Sequence, residues 1–139
     1  MEFLNKDIMK YAENHSQSEP KLLKELFRET HQKILQPRMI SGHFQGRLLS
    51  FLSKLTQPNN ILEIGTNLGV SGQYFLKGLD EKTKSIFITI DGVKKLCEMA
   101  TDRFNHISDK RRFKVINGLY DEKLFQLKES SKDRLCIAN

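Results

Sequence analysis

The stretch Asn60-Ile-Leu-Glu-Ile-Gly-Thr-Asn-Leu-Gly-Val-Ser-Gly72 joins an apolar run to a glycine-rich turn and then to a helical pattern, and its reading decides the fold. Ile61, Leu62 and Ile64 suit a parallel strand buried on both faces, while Gly65 and Gly69 let the backbone turn sharply and approach a ligand. Ser71 reads as the N-cap of a helix carrying Tyr74, Phe75, Leu76 and Leu79. The free N–H groups and positive dipole end of that helix would face the mouth of the turn. The glycines also fit an ordinary strand-to-helix turn in which they serve packing alone.

The turn does not meet the dinucleotide fingerprint Gly-x-Gly-x-x-Gly. It reads Gly65-Thr66-Asn67-Leu68-Gly69, with an acid, Glu63, in the strand end. An acid there suits a cationic ligand better than a pyrophosphate.

Upstream, three helices precede the strand. Asn5 or Asp7 starts the first, with Ile8, Tyr11 and Ala12 on one face. The second begins near Pro20, and Leu22, Leu23, Leu26, Phe27 and Ile34 recur in it at helical spacing. Gln36-Pro37-Arg38 ends it, because a residue before proline avoids the helical region. A loop at Met39-Ile40-Ser41-Gly42 follows. The third helix, from His43, puts Phe44, Leu48, Leu49, Leu52 and Leu55 on one face and stops at Gln57-Pro58.

Downstream, Ser85-Ile-Phe-Ile-Thr-Ile-Asp91 is a β-branched, aromatic run that reads as a second strand. Val93, Leu96, Cys97, Ala100 and Phe104 mark a helix by their spacing, Arg112-Phe-Lys-Val-Ile-Asn117 a third strand, and Tyr120, Leu124 and Leu127 another helix. Arg134-Leu-Cys-Ile-Ala138 is a fourth strand. The alternation predicts an α/β fold: a partial parallel sheet of about four strands with right-handed crossovers, preceded by N-terminal helices. Residues 1–58 form the helical segment, a cap or lid, and residues 59–139 the core.

At 139 residues and 38% hydrophobic content the chain has the size of one domain with a modest core. No apolar run approaches the ~20 residues of a membrane helix, and Met1–Asp7 lacks the basic-then-apolar order of a signal peptide. Cys97 and Cys136 lie far apart in apolar patterns and read as reduced buried thiols, which points to a cytoplasmic protein. The formal charge is +6, with its densest cluster at Lys110-Arg111-Arg112. Acids alternate with the bases and no aromatics interleave them, so the cluster reads as a solvated face and not a nucleic-acid site.

Ligands of open α/β sheets bind beyond the carboxyl ends of the strands. The residues there are Gly65-Thr66, Asp91-Gly92, Asn117-Gly118 and Asn139. Asp91 stands 26 positions after Gly65 (91 − 65), near the ~20-residue offset at which an acid meets ribose hydroxyls. It also fits a helix-starting role before Val93. Asn117 either meets an adenine edge with its amide or makes a turn. His15, His31, His43 and His106 lack metal-ligand spacing. His43 lies near the mouth, as a general base or as a surface residue at a helix start.

Glu63-x-Gly65-x-x-x-Gly69 resembles the first motif of class I S-adenosylmethionine-dependent methyltransferases, in which the glycines face the methionine moiety and the acid positions its amino end. The run Gln36-Pro-Arg-Met-Ile-Ser-Gly-His-Phe-Gln-Gly-Arg-Leu-Leu49, with Ile61-Leu-Glu-Ile-Gly-Thr66, is similar to bacterial O-methyltransferases of the catechol and caffeoyl-coenzyme A type, closely to about residue 72 and more generally beyond. The resemblance implies a Rossmann-like core and S-adenosylmethionine as cofactor. It implies cofactor contacts at Met39, Ser41, Glu63, Gly65, Thr66, Gly69, Ser71, Asp91, Gly92 and Asn117. The acceptor would be a small-molecule hydroxyl.

Family members hold a divalent metal with an acid after the fourth strand and an Asp-Asn pair after the fifth. Here the fourth strand closes Ile137-Ala138-Asn139, so no metal site is expected and no catalytic residue is assigned. Two classes follow: a methyltransferase whose chain is truncated or completed by another protomer, and a non-catalytic cofactor-binding or interaction module. The implied strand order is third, second, first, fourth. It leaves the apolar run Leu135-Cys136-Ile137 at an edge, from which a homodimer burying residues 133–138 is expected.

Overall fold

The computed structural model describes residues 5–21, 24–25, 28, 42–109, 112–124 and 136–138. Asn5 caps α1 (Lys6–Asn14), its side chain accepting from the Asp7 amide at 2.8 Å. Of the helix expected from Pro20, Lys21, Lys24, Glu25 and Arg28 are helical, while its apolar positions, with Met39 and Ser41, lie outside the described residues. There follow α2 (His43–Thr56), β1 (Asn60–Ile64), α3 (Val70–Gly78), β2 (Ile86–Asp91), α4 (Lys94–Asn105), β3 (Phe113–Asn117) and β4 (Cys136–Ala138). Residues 120–124 are helical.

The four strands pair in parallel in the order β3-β2-β1-β4. The chain therefore leaves β1 in one direction through β2 and β3, and β4 returns to its other side. That reversal makes a switch point beside β1.

Period-two alternation sends Ile61, Phe87 and Phe113 to one face of the sheet, where Phe75, Leu76, Leu79, Ala100 and Phe104 of the α3 and α4 region cover them. Phe87 stacks on Phe75 with centroids 5.7 Å apart and meets Phe104 edge-on at 5.7 Å; Phe104 meets Phe113 at 5.3 Å. Leu62, Ile88 and Ile90 form a second cluster on the opposite face, with Ile116 and Leu124 against it. The expectation of a strand with both faces covered holds for β1.

The expected apolar face of α2 is not what packs on the core. Gly46 and Ser53 are the buried positions, while Phe44, Leu48, Phe51 and Leu52 are exposed and Leu55 is 68% exposed. A Cβ at Gly46 would stand 2.1 Å from the Tyr74 ring, and one at Gly78 would stand 2.3 Å from the Ser50 carbonyl oxygen. Close approach of α2 to α3 therefore selects the small residues, and the large ones turn outward; Leu49, at the border, still packs against the core.

This contact generates a test. Alanine at the last residue of a helix gains at most about 1 kcal/mol of propensity over glycine, whereas overpacking against a backbone atom that cannot rotate away costs about 1–3 kcal/mol. Gly78→Ala should lower the urea midpoint of unfolding; an unchanged or higher midpoint would show that the two helices part at no cost.

Candidate ligand site at the carboxyl edge of the sheet

β1 ends in a turn of left-handed residues: Gly65 at φ +93°, Asn67 at +46° and Gly69 at +74°. Glycine and asparagine are the residues that tolerate this region. The Gly65 amide donates to Ile90 O at 2.9 Å and the Gly69 amide to Thr66 O at 2.8 Å. The Asn67 amide donates to Asp91 Oδ2 at 2.8 Å, and Arg103 Nη1 to Leu68 O at 3.0 Å. The turn is thus held from β2 and from α4 together.

The two readings of the glycines divide between positions. A Cβ at Gly65 or Gly92 would meet nothing within 4 Å, so both face open space, whereas one at Gly69 would stand 2.9 Å from the Phe104 ring. Gly65 and Gly92 leave space open; Gly69 lets the turn pack. Gly72 has the same packing role, with Phe104 at 2.5 Å from its hypothetical Cβ.

Ser71 is not the N-cap. That position is Gly69, and Ser71 lies in the first turn of α3 with its hydroxyl donating to Glu63 Oε1. Glu63 is 4% exposed, and its second oxygen accepts from Thr89 Oγ1 at 2.7 Å. Thr89 Oγ1 in turn lies 2.7 Å from Thr66 Oγ1, with both threonines fully buried. Burial pushes the Glu63 carboxyl up from 4.5 to about 7, against the lowering effect of the two hydroxyls and with a smaller push from Asp91. Thr89 was not singled out from sequence. The available signal was a polar residue inside Ile-Phe-Ile-Thr-Ile, and its meaning needed the register that sets Thr89 opposite Glu63.

Asp91 closes β2 half-buried, its Oδ2 bound to the Asn67 amide and its Oδ1 to the Val93 amide at 2.9 Å. Each carboxylate oxygen accepts one of these amides and has a further lone pair. Asn117 donates its Nδ2 to Asp91 O at 3.0 Å and touches Cys97 Sγ at 3.8 Å, so its amide N–H ties β3 to β2. His43 has both ring nitrogens engaged: Nδ1 with the Tyr74 hydroxyl at 2.9 Å and Nε2 with Gln17 O at 2.9 Å. A carbonyl accepts only, so Nε2 donates and Nδ1 accepts. This ring fastens the segment after α1 to α2 and α3, and no free lone pair is left for a general base.

Among the described residues no group of His, Cys, Asp and Glu gathers to hold a metal ion, and no helix is long and apolar enough to cross a membrane. A cleft of about 860 Å³ opens at the opposite edge of the sheet, lined by Leu79, Lys84, Ile86, Ser108 and Arg112 among others. The glycine turn and the strand-closing acid are at the carboxyl edge instead.

The doubly wound parallel arrangement, with a glycine turn after β1 and an acid closing β2, defines a Rossmann-like nucleotide-binding type of fold. A family model described as O-methyltransferase matches residues 13–136, and the chain belongs to that family. It is 33% identical over 93 residues to a candidate O-methyltransferase of Mycobacterium sp. (strain JLS), an alignment covering 66% of this chain and 41% of that one. Among solved structures it is similar to the methyltransferase PaMTH1 of Podospora anserina in its SAH-bound form, with a TM-score of 0.80 at 22% identity over 98% of this chain and 59% of that one. It is also similar to the O-methyltransferase of Bacillus cereus in complex with SAH, with a TM-score of 0.79 at 21% identity over 95% of this chain and 60% of that one. At these identities the structures establish the fold. The chain spans about two-fifths of the length of the curated relatives and about three-fifths of the solved ones.

The buried acid has a pH consequence. Between pH 4.5 and about 7 the folded chain holds a proton on Glu63 that the unfolded chain has released, so stability falls as pH rises through that window. The loss is on the order of 3 kcal/mol and persists above it. Glu63→Gln carries no charge, and its stability relative to the native chain should rise between pH 5 and pH 8. Urea unfolding at the two pH values measures the difference, and a difference independent of pH would contradict the assignment.

Proposed function

We propose that this chain binds S-adenosylmethionine at the carboxyl edge of β1 and β2 and forms the cofactor-holding part of a methyltransferase acting on a hydroxyl of a small molecule. One observation carries the reading. Gly65, a left-handed glycine whose Cβ would meet nothing within 4 Å, follows β1, and the neighbouring β2 closes on the Asp91 carboxylate, which two backbone amides fix while lone pairs remain.

In this reading Asp91 accepts the ribose hydroxyls, and Gly65 and Gly92 give the cofactor room to approach. Glu63, beneath Ser71, Thr66 and the Gly69 turn, sets a negative charge under the amino-acid end of the ligand. Asn117 steadies Asp91 from β3. Residues 1–58 serve as a lid, and Met39 and Ser41, outside the described residues, stay cofactor contacts by resemblance alone. The bound cofactor supplies an electrophilic methyl group, and the chain's part is to orient it and exclude water, a contribution that carries a large share of the rate in such transfers. Membership in the O-methyltransferase family favours this reading over a non-catalytic module.

The proposal extends to a cytoplasmic homodimer, whose expected interface at residues 133–138 lies largely outside the described residues. Cys97 is a free buried thiol, and Phe44, Leu48, Phe51, Leu52 and Leu55 present an exposed apolar stripe along α2 that suits a second copy. Light scattering should give twice the chain mass, and Leu48→Lys with Leu55→Lys should halve it; a monodisperse monomer at high concentration would refute the dimer.

Calorimetric titration with S-adenosylhomocysteine tests the cofactor site. Asp91→Ala should weaken binding by about 1.5–3 kcal/mol, roughly ten- to a hundred-fold. Its urea midpoint, read in parallel, separates lost ribose bonds from a loosened turn. Unchanged affinity removes the ribose role, and no binding by the native chain removes the reading.

A further inference from the structure

The carboxyl of Glu63 is buried without a cation in contact among the described residues. The groups around it are these: β2 contributes Thr89 and a second carboxylate, Asp91; α3 contributes Ser71, with Lys77 exposed further along; β4 contributes Ala138 in register; and the turn has no ionisable side chain. Arg103 reaches this region from α4, but its Nη1 donates to Leu68 O. From α2, His43 and Arg47 are bound toward Tyr74, Gln17 and Ser18. β3 contributes Asn117, directed at Asp91 O.

The hydroxyls, unlike the charges, converge on Glu63. Thr66 and Thr89 lie 2.7 Å apart and either can donate, so the row has two polarities. With Glu63 ionised, Thr66 donates to Thr89, Thr89 to Oε2 and Ser71 to Oε1. With Glu63 protonated on Oε1, the carboxyl donates to Ser71, which is half-buried where Thr66 and Thr89 are fully buried. Ser71 is therefore the exit by which the proton reaches solvent. Thr89 favours the ionised form, since its donated bond stabilises a carboxylate more than a carboxyl.

We propose that Thr89 is a positioning residue of the candidate cofactor site, acting through Glu63: the empty site holds a proton on Glu63, and a ligand ammonium arriving above the turn expels it through Ser71, so that binding releases a proton. The inference rests on the cofactor reading and deepens it. It makes affinity for amino-acid-bearing ligands rise with pH, and it assigns Thr89 the task of keeping that rise near neutrality.

The test uses the full chain and two probes, S-adenosylhomocysteine, which carries an ammonium, and 5′-methylthioadenosine, which has the same nucleoside without one. Calorimetry in buffers of different ionisation enthalpy counts protons. With Glu63 half-ionised near pH 7, S-adenosylhomocysteine should release about half a proton at pH 7 and almost none at pH 9. Methylthioadenosine should release none at either pH. Glu63→Gln should bind S-adenosylhomocysteine without release. Thr89→Val should move the release profile to higher pH, and Thr89→Ser should restore it. Release that persists in Glu63→Gln, equal release with both probes, or a Thr89→Val profile that does not move would overturn the proposal. A ligand-free infrared difference between the native chain and Glu63→Gln separates the two layers. A protonated-carboxyl band present at pH 6 and gone by pH 9, together with no binding of S-adenosylhomocysteine, sinks the cofactor reading and the coupling with it. The absence of that band at pH 6 overturns the proposal whatever the ligand does.

Discussion

The parallel register of β1 with β2 is the constraint on which the rest depends. It sets Ile61 opposite Phe87, Glu63 opposite Thr89 and Ile64 opposite Ile90, and so ends both strands at one level. Only then can the Gly65 amide continue the ladder onto Ile90 O and the Asn67 amide meet the Asp91 carboxylate. A slip of one residue in β1 would move Glu63 to the opposite face, among Ile88, Ile90 and Ile116, and away from the Thr89 hydroxyl. The apolar pairs and the polar pair therefore specify the same alignment, and the polar pair penalises the alternative more.

A buried carboxyl with hydroxyl partners and, among the described residues, no counter-ion works against stability at neutral pH, a cost of the kind found at functional sites. The surrounding core offsets it. The four-ring arrangement of Phe75, Phe87, Phe104 and Phe113 fixes β2 and α4 rigidly beneath the turn, and Phe104 also closes the space under Gly69 and Gly72. The glycines that look like ligand contacts thus do two jobs. Gly65 leaves room above the sheet, and Gly69 and Gly72 remove side chains below it.

Much of this was legible in the sequence. β1, β2, β3 and α4 follow from apolar periodicity, because each buries a patterned face or run; α2 follows from helical spacing alone, and the Gly-rich turn marks the carboxyl edge of the sheet. Three features were not legible. Ser71 has the chemistry of a cap, yet its hydroxyl is claimed by Glu63, a contact eight residues back that a local pattern cannot contain. The stripe of Phe44, Leu48, Leu52 and Leu55 has helical spacing, yet the closeness of α2 to α3 makes Gly46 and Ser53 the inward face; periodicity finds a stripe but not its partner. Thr89 is silent until the register places it. The roles of Met39 and Ser41 lie outside the described residues.

The most direct measurement of the central claim is an amide chemical-shift map on adding S-adenosylhomocysteine. The account predicts that the largest shifts fall at residues 65–69, 91–93 and 118, the carboxyl edge around the turn. Shifts concentrated instead at residues 84–86, 107–109 and 112, beside the cleft at the amino edge, would contradict it.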